Sequence, residues 1–342
     1  MDAAIQSQHK KISIWLFTVC AFVALMVLVG GLTRLTDSGL SITEWKPITG
    51  AVPPLTAQDW DVEFTKYKAI PEFQLVNSDF TLEEFKFIFW WEWGHRQLGR
   101  VIGLVFFVPF VWFACRREIP KNLMTPLLAL FALGGLQGFM GWYMVQSGLT
   151  DRVDVSQYRL AMHLGLALVI FTFAFWLALR LWRGLTLPQQ SNRTVAFAGV
   201  IVFLTLLQSM MGALVAGLDA GKTYTDWPFM DGDLIPPGLL EMTPVSANFF
   251  ENYLTVQFDH RIGAYILLVL VFVHLYRQHK AEAPTLPTAK LLAFAVTGQA
   301  LLGITALMLA VPLFWGAVHQ LGAVAVLALG ITHLHLLRFP NS

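Results

Sequence analysis

Four histidines lie in otherwise apolar stretches of the chain. They are His95 in Trp93-Gly94-His95-Arg96-Gln97-Leu98-Gly99, His163 in Met162-His163-Leu164-Gly165, His260 in Asp259-His260-Arg261-Ile262-Gly263 and His319 in Val318-His319-Gln320-Leu321-Gly322. A lone histidine in such a setting is most often a hydrogen-bonded packing residue. Four in one recurring context point further, because ionisable side chains inside membrane spans are costly and mark function. Imidazoles offered in pairs by facing helices of a bundle hold haem iron. The neighbouring glycines (Gly94, Gly99, Gly165, Gly263, Gly322) leave room for a flat macrocycle. Arg96 and Arg261 directly follow their histidines. Each either meets a haem propionate through forked bonds or snorkels to the headgroups.

One acid separates the two halves. Glu92 stands three residues before His95 and so on the same helical face, whereas Gln257 holds that position before His260. A carboxylate in a partly desolvated haem pocket can stabilise developing positive charge or move a proton; otherwise it is a hydrated acid among headgroups. The asymmetry reads as one half for chemistry and one for electron supply. His274 and His333 lie fourteen residues beyond His260 and His319, a spacing that resembles cytochrome b-type bundles with two stacked haems. Pro109 and Leu177 occupy the corresponding places in the first half. His274, His333 and His335 are therefore read as inner-interface residues beside Arg277 and Arg338, with a further haem left open.

Helices must position these groups. Of the 342 residues 56% are hydrophobic and 13% charged, where a soluble domain carries roughly 25% charged. Apolar runs at about 12–32, 123–145, 160–179, 194–217, 291–311 and 314–337 can each span a bilayer. Val101–Cys115 and Ile262–Tyr276 are shorter, about 22 Å at roughly 1.5 Å per residue. To cross a core about 30 Å thick, both must extend backwards into His95-Arg96 and His260-Arg261. The first run follows Lys10-Lys11 but is too long for a signal-peptide core and has no cleavage site after it, so it reads as a retained span. A mitochondrial transit peptide is not expected either. Cys20 and Cys115 lie in apolar segments, which argues against a structural disulfide. A net charge of +1 gives no reason to expect nucleic acid as a partner.

With the N-terminus inside, the inner segments hold Lys10, Lys11, Arg116, Arg117, Lys121, Arg180, Arg183, Arg193, Arg277, Lys280, Lys290 and Arg338. Of the 22 acids only Asp2, Glu118 and Glu282 join them. That is the positive-inside pattern, with both termini cytoplasmic. Outside, Thr81 and Glu84 have capping-box spacing, so a helix is expected to start there and lie along the interface. Its aromatic run Phe85-Lys86-Phe87-Ile88-Phe89-Trp90-Trp91 suits a headgroup belt. The connection 218–257 reads as irregular.

The second half echoes the first. Gly31-Leu32-Thr33, Asp37 to Gly39 and Thr43-Glu44-Trp45 correspond to Gly212-Ala213-Leu214, Asp219 to Gly221 and Thr225-Asp226-Trp227. Leu136-Gln137-Gly138 corresponds to Gly298-Gln299-Ala300, and the four histidine motifs correspond in order. Because each unit has four spans, the expectation is an all-α polytopic membrane protein of eight transmembrane helices. Two four-helix bundles, 1–183 and 184–342, would be related by a pseudo-twofold axis along the membrane normal. All four histidines would then sit at one depth, towards the outer leaflet.

The segment Gly31 to Gly50, Glu92 to Arg96 and the other three histidine motifs resemble haem A synthases, in order and over nearly the whole chain. The likeness is to the alphaproteobacterial and mitochondrial form. It lacks the outer-loop cysteine pair of some bacterial relatives, so a mechanism that uses that pair does not transfer. The resemblance implies oxidation of the C8 methyl of haem O to the formyl group of haem A for terminal oxidases. It makes His95 and His163 axial to the substrate haem, His260 and His319 axial to a permanent haem b, and Glu92 the catalytic carboxylate. It further implies the bacterial inner membrane, a haem O synthase (a farnesyltransferase) and oxidase assembly factors as partners, and an electron-transfer partner that the sequence does not identify. Association of several copies of the chain is left open. The rival readings are a di-haem cytochrome b-like electron carrier and a haem transporter or chaperone.

Overall fold

The computed structural model of the chain describes residues 3–185 and 192–340. Its helices are α1 (Ala3–Leu35), α2 (Ala57–Tyr67), α3 (Pro71–Leu75), α4 (Leu82–Cys115), α5 (Lys121–Gln146), α6 (Gln157–Trp182) and α7 (Arg193–Gly217). They continue as α8 (Ala220–Thr223), α9 (Asn248–Glu251), α10 (Tyr253–Lys280), α11 (Leu286–Met308) and α12 (Leu313–Arg338). Among the described residues eight of these, α1, α4, α5, α6, α7, α10, α11 and α12, are long and apolar enough to cross a membrane. That matches the expected span count, and the chain is a multi-pass membrane protein. Asp2, counted above with the inner acids, lies outside the described residues.

The two short apolar runs do extend backwards, and well past their histidines. Helix α4 has 34 residues, about 50 Å of continuous helix. It starts where the capping box predicts: Glu84 N donates to Thr81 Oγ1, and Thr81 N donates to Glu84 Oε2 at 2.8 Å. Helix α10 begins at Asn252, whose side chain accepts from the Leu254 and Thr255 amides.

In hydrocarbon, helices gain little from hiding apolar surface, so close packing and interhelical hydrogen bonds must hold them together. Helices α1, α6, α7 and α12 pack against one another at the centre. Small residues allow it: Ala174 and Ala178 of α6 are fully buried beside Leu16 of α1 and Leu327 of α12, and Ser13 donates to the Ala178 carbonyl at 2.8 Å. At the outer ends Arg34 reaches Asp219 (2.6 Å) and Asp154 (3.6 Å), which ties α1 to the loops after α7 and α5. Helix α10 packs closely along α11, whereas α4 makes few contacts with α5.

The outer connection 33–91 is more ordered than its sequence suggests. Thr56 and Asp59 form a second capping box that starts α2. Helices α2 and α3 then cover one face of the aromatic run at the start of α4. Phe85, Ile88 and Phe89 are buried with Phe64, Tyr67 and Ile70, while Phe87 and Trp90 on the opposite face stay exposed. The run is thus half a small core and half available to a headgroup belt. The connection 218–257 is irregular, as expected, from 218 to 252 apart from the single turns α8 and α9, a 3-10 turn at Val245–Ala247 and a bridge between Met230 and Asp233, while 253–257, expected to be irregular, form the first turn of α10.

Glu72 of α3 is buried in this outer cap, with one carboxyl oxygen lacking a partner among the described residues. Burial pushes its carboxyl up to about 8, against the Tyr67 hydroxyl, which lowers it; Glu92, Asp154 and Asp37 push further in the same direction as burial. A carboxyl raised in the folded state stabilises fully below its unfolded value, and that stability is lost as the pH rises through the folded one. Cap stability should therefore fall between about pH 4.5 and 8. Glu72→Gln should flatten that slope, matching the parent near pH 4 and exceeding it near pH 9 by on the order of a few kcal/mol. Thermal unfolding of the detergent-purified protein across that range is the check.

Candidate functional site

The four histidines come together in the two pairs read from the sequence. His95 on α4 lies near His163 on α6, and His260 on α10 near His319 on α12, close enough for one imidazole's charge to act on the other. All four are half-buried.

Each imidazole rests against a glycine of the preceding span. A Cβ built on Gly141 would come within 3.0 Å of His163 Cε1, on Gly212 within 3.1 Å of His260 Cε1, and on Gly303 within 2.7 Å of His319 Cε1. On Gly30 it would lie 3.2 Å from His95 Nε2. Alanine at any of these places would push the ring. The repeat register thus pairs Gly30 with Gly212, one residue from the Gly31 match that sequence alone suggested. In this register the two Asp residues seven positions on, Asp37 and Asp219, both adopt the left-handed backbone (φ 49° and 51°) that ends their helices. Of the glycines expected to leave room beside the histidines, Gly94 faces open space and Gly99 meets only the Met26 methyl at 3.6 Å, but the space at Gly165 is filled by Met210 and that at Gly263 and Gly322 by the Gln208 and Gln299 side chains. Gly103, Gly134, Gly135, Gly138 and Gly298 have open space where a side chain would point. Paired imidazoles with glycine-lined clearance and apolar neighbours fit an iron porphyrin.

Two glutamines that the sequence showed only as repeat markers, Gln137 and Gln299, and a third that it did not single out, Gln208, lie against the rings. Gln208 Nε2 lies 2.8 Å from the His260 carbonyl and 3.0 Å from His260 Nδ1. Gln299 does the same at His319 (2.7 and 3.1 Å) and Gln137 at His163 (3.1 and 3.2 Å). Each glutamine is four residues before the contacting glycine, one helical turn away. A Gln-x-x-x-Gly search would have found all three.

Glu92 is buried and fully engaged. Its Oε1 accepts from Arg96 Nη2 (2.6 Å) and Nε (3.0 Å); its Oε2 accepts from the Ser41 hydroxyl and the Ile42 amide, both 2.7 Å. Arg96 also donates to the Ile42 and Glu44 carbonyls. In the second half Gln257 Nε2 donates to the Ala220 and Tyr224 carbonyls, and its Oε1 accepts from Arg261 at 2.8 Å. Arg261 in turn donates to the Asp226, Phe229 and Tyr224 carbonyls. The two arginines therefore strap the outer loops to α4 and α10. Where the first loop offers N–H and O–H donors to a carboxylate, the second offers carbonyls to an amide.

His274 and His333 bond to each other, Nε2 to Nε2 at 2.8 Å, and His333 Nδ1 lies 2.7 Å from Thr288 Oγ1. Thr288 gives its own proton to the Thr285 carbonyl. The hydroxyl must then accept from His333 Nδ1–H, which leaves His333 Nε2 to accept from His274. Both Nε2 atoms are spent on one another, and the pair acts as an inner staple between α10 and α12. His335 packs between Trp176, edge-on at 71°, and the tilted ring of Phe339.

Residues 13–331 match the family model described as COX15-CtaA, cytochrome oxidase assembly protein. The chain is 52% identical over 331 residues to a protein of Parvibaculum lavamentivorans named heme A synthase, covering 97% of this chain and 95% of the relative. Proteins of that name from Sinorhizobium fredii (47%; 95% and 89% covered) and Maricaulis maris (49%; 93% of each) are similar over comparable lengths.

Removing Arg96 would strand a buried carboxylate, whereas removing Arg261 strands a neutral amide. Arg96→Ala should cost on the order of 3 kcal/mol and Arg261→Ala only about 1–2 kcal/mol. Thermal unfolding of the two purified variants should rank them in that order, and equal losses would show that Glu92 is not relying on Arg96.

Proposed function

The chain belongs to the COX15-CtaA family of cytochrome oxidase assembly proteins, and we propose that it works as a haem A synthase, oxidising the C8 methyl of haem O to the formyl group of haem A. The names of its relatives point there. The observation that carries the reading is the contrast between two like imidazole pairs, one beside the buried carboxylate of Glu92 and the other beside the amide of Gln257.

In this reading the chain divides into a substrate half, 1–183, and an electron-supplying half, 184–342. His95 and His163 hold the iron of haem O, and His260 and His319 hold a haem b. The bound haem b supplies one-electron redox chemistry, with its potential tuned by the axial imidazoles and their surroundings. The histidine pairs would hold each haem by its iron. Glu92, gripped by Arg96, Ser41 and the Ile42 amide, keeps its charge in one place, so it can stabilise positive charge developing at the macrocycle rim without reorganising. It is also the nearest carboxylate in sequence to His95, suited to take up a proton. Arg96 and Arg261 are assigned the propionates, each bond replacing one with a loop carbonyl.

Methyl to formyl is a four-electron oxidation that also adds one oxygen atom: with water as the oxygen donor, R–CH3 + H2O gives R–CHO + 4 H+ + 4 e−, so a partner that accepts the electrons is required. A haem O synthase supplies the substrate, and oxidase assembly factors receive the product. The basic inner loops support both termini in the cytoplasm and placement in the bacterial inner membrane.

Haems extracted from the purified protein should include haem O or haem A beside haem b. A single haem type in two equal sites would instead indicate an electron carrier. His260→Ala should lose haem b. Glu92→Gln, expressed with a source of haem O, should still bind haem O while its oxidation stalls, and Glu92→Asp should retain partial activity at most. Parental levels of haem A from Glu92→Gln on chromatography would remove Glu92 from the mechanism.

A further inference from the structure

Oxidation of a methyl to a formyl group with water releases several protons for each haem, and Glu92 is placed to take them one at a time. Glu92 is itself buried, enclosed by Arg96, Ser41 and the Ile42 amide. Each proton therefore needs a way out before the next arrives. Arg96 and the amide can only donate, but Ser41 can change role. Its hydroxyl lies 2.7 Å from Glu92 Oε2 and 3.3 Å from both the Ser38 and Ile88 carbonyls. Turning its proton to either carbonyl leaves Oε2 free to carry one.

The outer cap above Glu92 contains a second buried acid, Glu72, whose Oε2 has no partner among the described residues. Tyr67, fully buried, stands beside it. The Tyr67 oxygen accepts from Asn77 Nδ2 at 2.8 Å, and its proton goes to the Glu72 carboxyl. A phenol oxygen keeps a second lone pair, and the charges of both Glu72 and Glu92 reach Tyr67. Asp154 and Asp37 also act on Glu72; their side chains are 44% and 58% exposed and tied to Arg34. The cap of the second half is different. Among its described residues from 218 to 252 the buried polar side chain is Asn248, an amide bonded to Met242, Val245 and Asn252. Buried acid and phenol occur together only over the half that carries Glu92.

We propose that Glu72 is a proton-relay residue for the oxidation: protons taken by Glu92 pass through the Tyr67 hydroxyl to Glu72 and leave by Asp154 and Asp37 to the outer solution. This rests on the reading of Glu92 as the group that takes protons from the substrate. At rest Glu72 is neutral, because burial pushes its carboxyl up to about 8 and the Glu92 charge pushes it in the same direction. Protonation of Glu92 removes that charge, so Glu72 releases its proton outwards. The Glu92 carboxylic acid then gives its proton to the free lone pair of Tyr67 while Tyr67 gives its own to the Glu72 carboxylate. Glu92 is again ionised, Tyr67 and Glu72 are restored, and one proton has left. The electrons go separately to the acceptor. Burial also raises Tyr67, so it passes protons on without becoming an ion.

Membranes from cells that express the chain and supply haem O retain the native electron acceptor, and chromatography gives the rate of haem A formation in them. The parent's rate should rise with pH below about 8, as release from Glu72 becomes easier. Glu72→Gln should be slower by about tenfold or more, without that rise, while its content of haem O and haem b stays parental. Tyr67→Phe, which keeps the aromatic packing, should be slowed likewise. Since Glu72→Gln is expected to unfold at higher temperature than the parent above neutral pH, its slow turnover cannot come from a weakened fold. Infrared titration of the purified protein adds a readout that needs no turnover: the Glu72 carboxyl should lose its proton at lower pH in Glu92→Gln than in the parent. Parental rate and pH profile in Glu72→Gln, or loss of bound haem along with the rate, would overturn the relay and leave the synthase reading standing. A parent that forms no haem A would overturn the synthase reading and the relay with it.

Discussion

A polar side chain inside a bilayer has to bond to protein, since no water is there to take its place. The rest of this structure depends on that constraint. Three of the four imidazoles suited to bind iron, His163, His260 and His319, are backed by glutamines that bond to the same residue's backbone. The one buried carboxylate beside them is surrounded by four donors. His274 and His333 of α10 and α12 close on each other, with His333 backed by the Thr288 hydroxyl. Even the helix packing at the centre uses a serine hydroxyl aimed at a carbonyl of the opposite helix.

This constraint also decides where the halves can differ. Helices α5 and α6 repeat α11 and α12 closely, with the same glutamine, glycine and histidine. The difference falls on the other wall of each pocket: Glu92 against Gln257. Placing a charge at Glu92 required Arg96 and a loop whose amide and hydroxyl point inward. The equivalent loop in the second half points carbonyls inward and would repel a carboxylate. A single codon change could not convert one half into the other.

Much of this was legible in the sequence. Hydropathy marked the eight spans because a bilayer demands long apolar runs, and the repeat isolated the four histidines and the acid. The start of α4 was legible from Thr81 and Glu84, whose spacing is itself the interaction. Helices α2 and α3 were not, although Thr56 and Asp59 have the same spacing, because a long polar connection gives no apolar period to anchor them. Gln137 and Gln299 were noticed as repeat markers and Gln208 was not, since their role exists only across a helix interface. Likewise Ser41 and Ile42, the loop partners of Glu92, lie about 50 residues away in the chain and leave no local pattern, whereas Arg96 is one turn on. His274 and His333 kept a haem-like spacing that only their mutual bond at 2.8 Å reinterprets.

The opposite polarity of the loops before α4 and α10 bears on how these two segments of similar sequence could be exchanged. Helix α4 exchanged alone for α10 would bring a carboxylate under inward-facing carbonyls, and the reverse graft would put an amide and its carbonyl oxygen among donors and a guanidinium that expect an anion. The interchangeable part is therefore not a helix but a helix with the loop that precedes it, Ser41 with Glu92 and Ala220 with Gln257. Ancestral gene conversion between the halves, and any chimera assembled from them, would be tolerated only at breakpoints that keep each loop with its own helix.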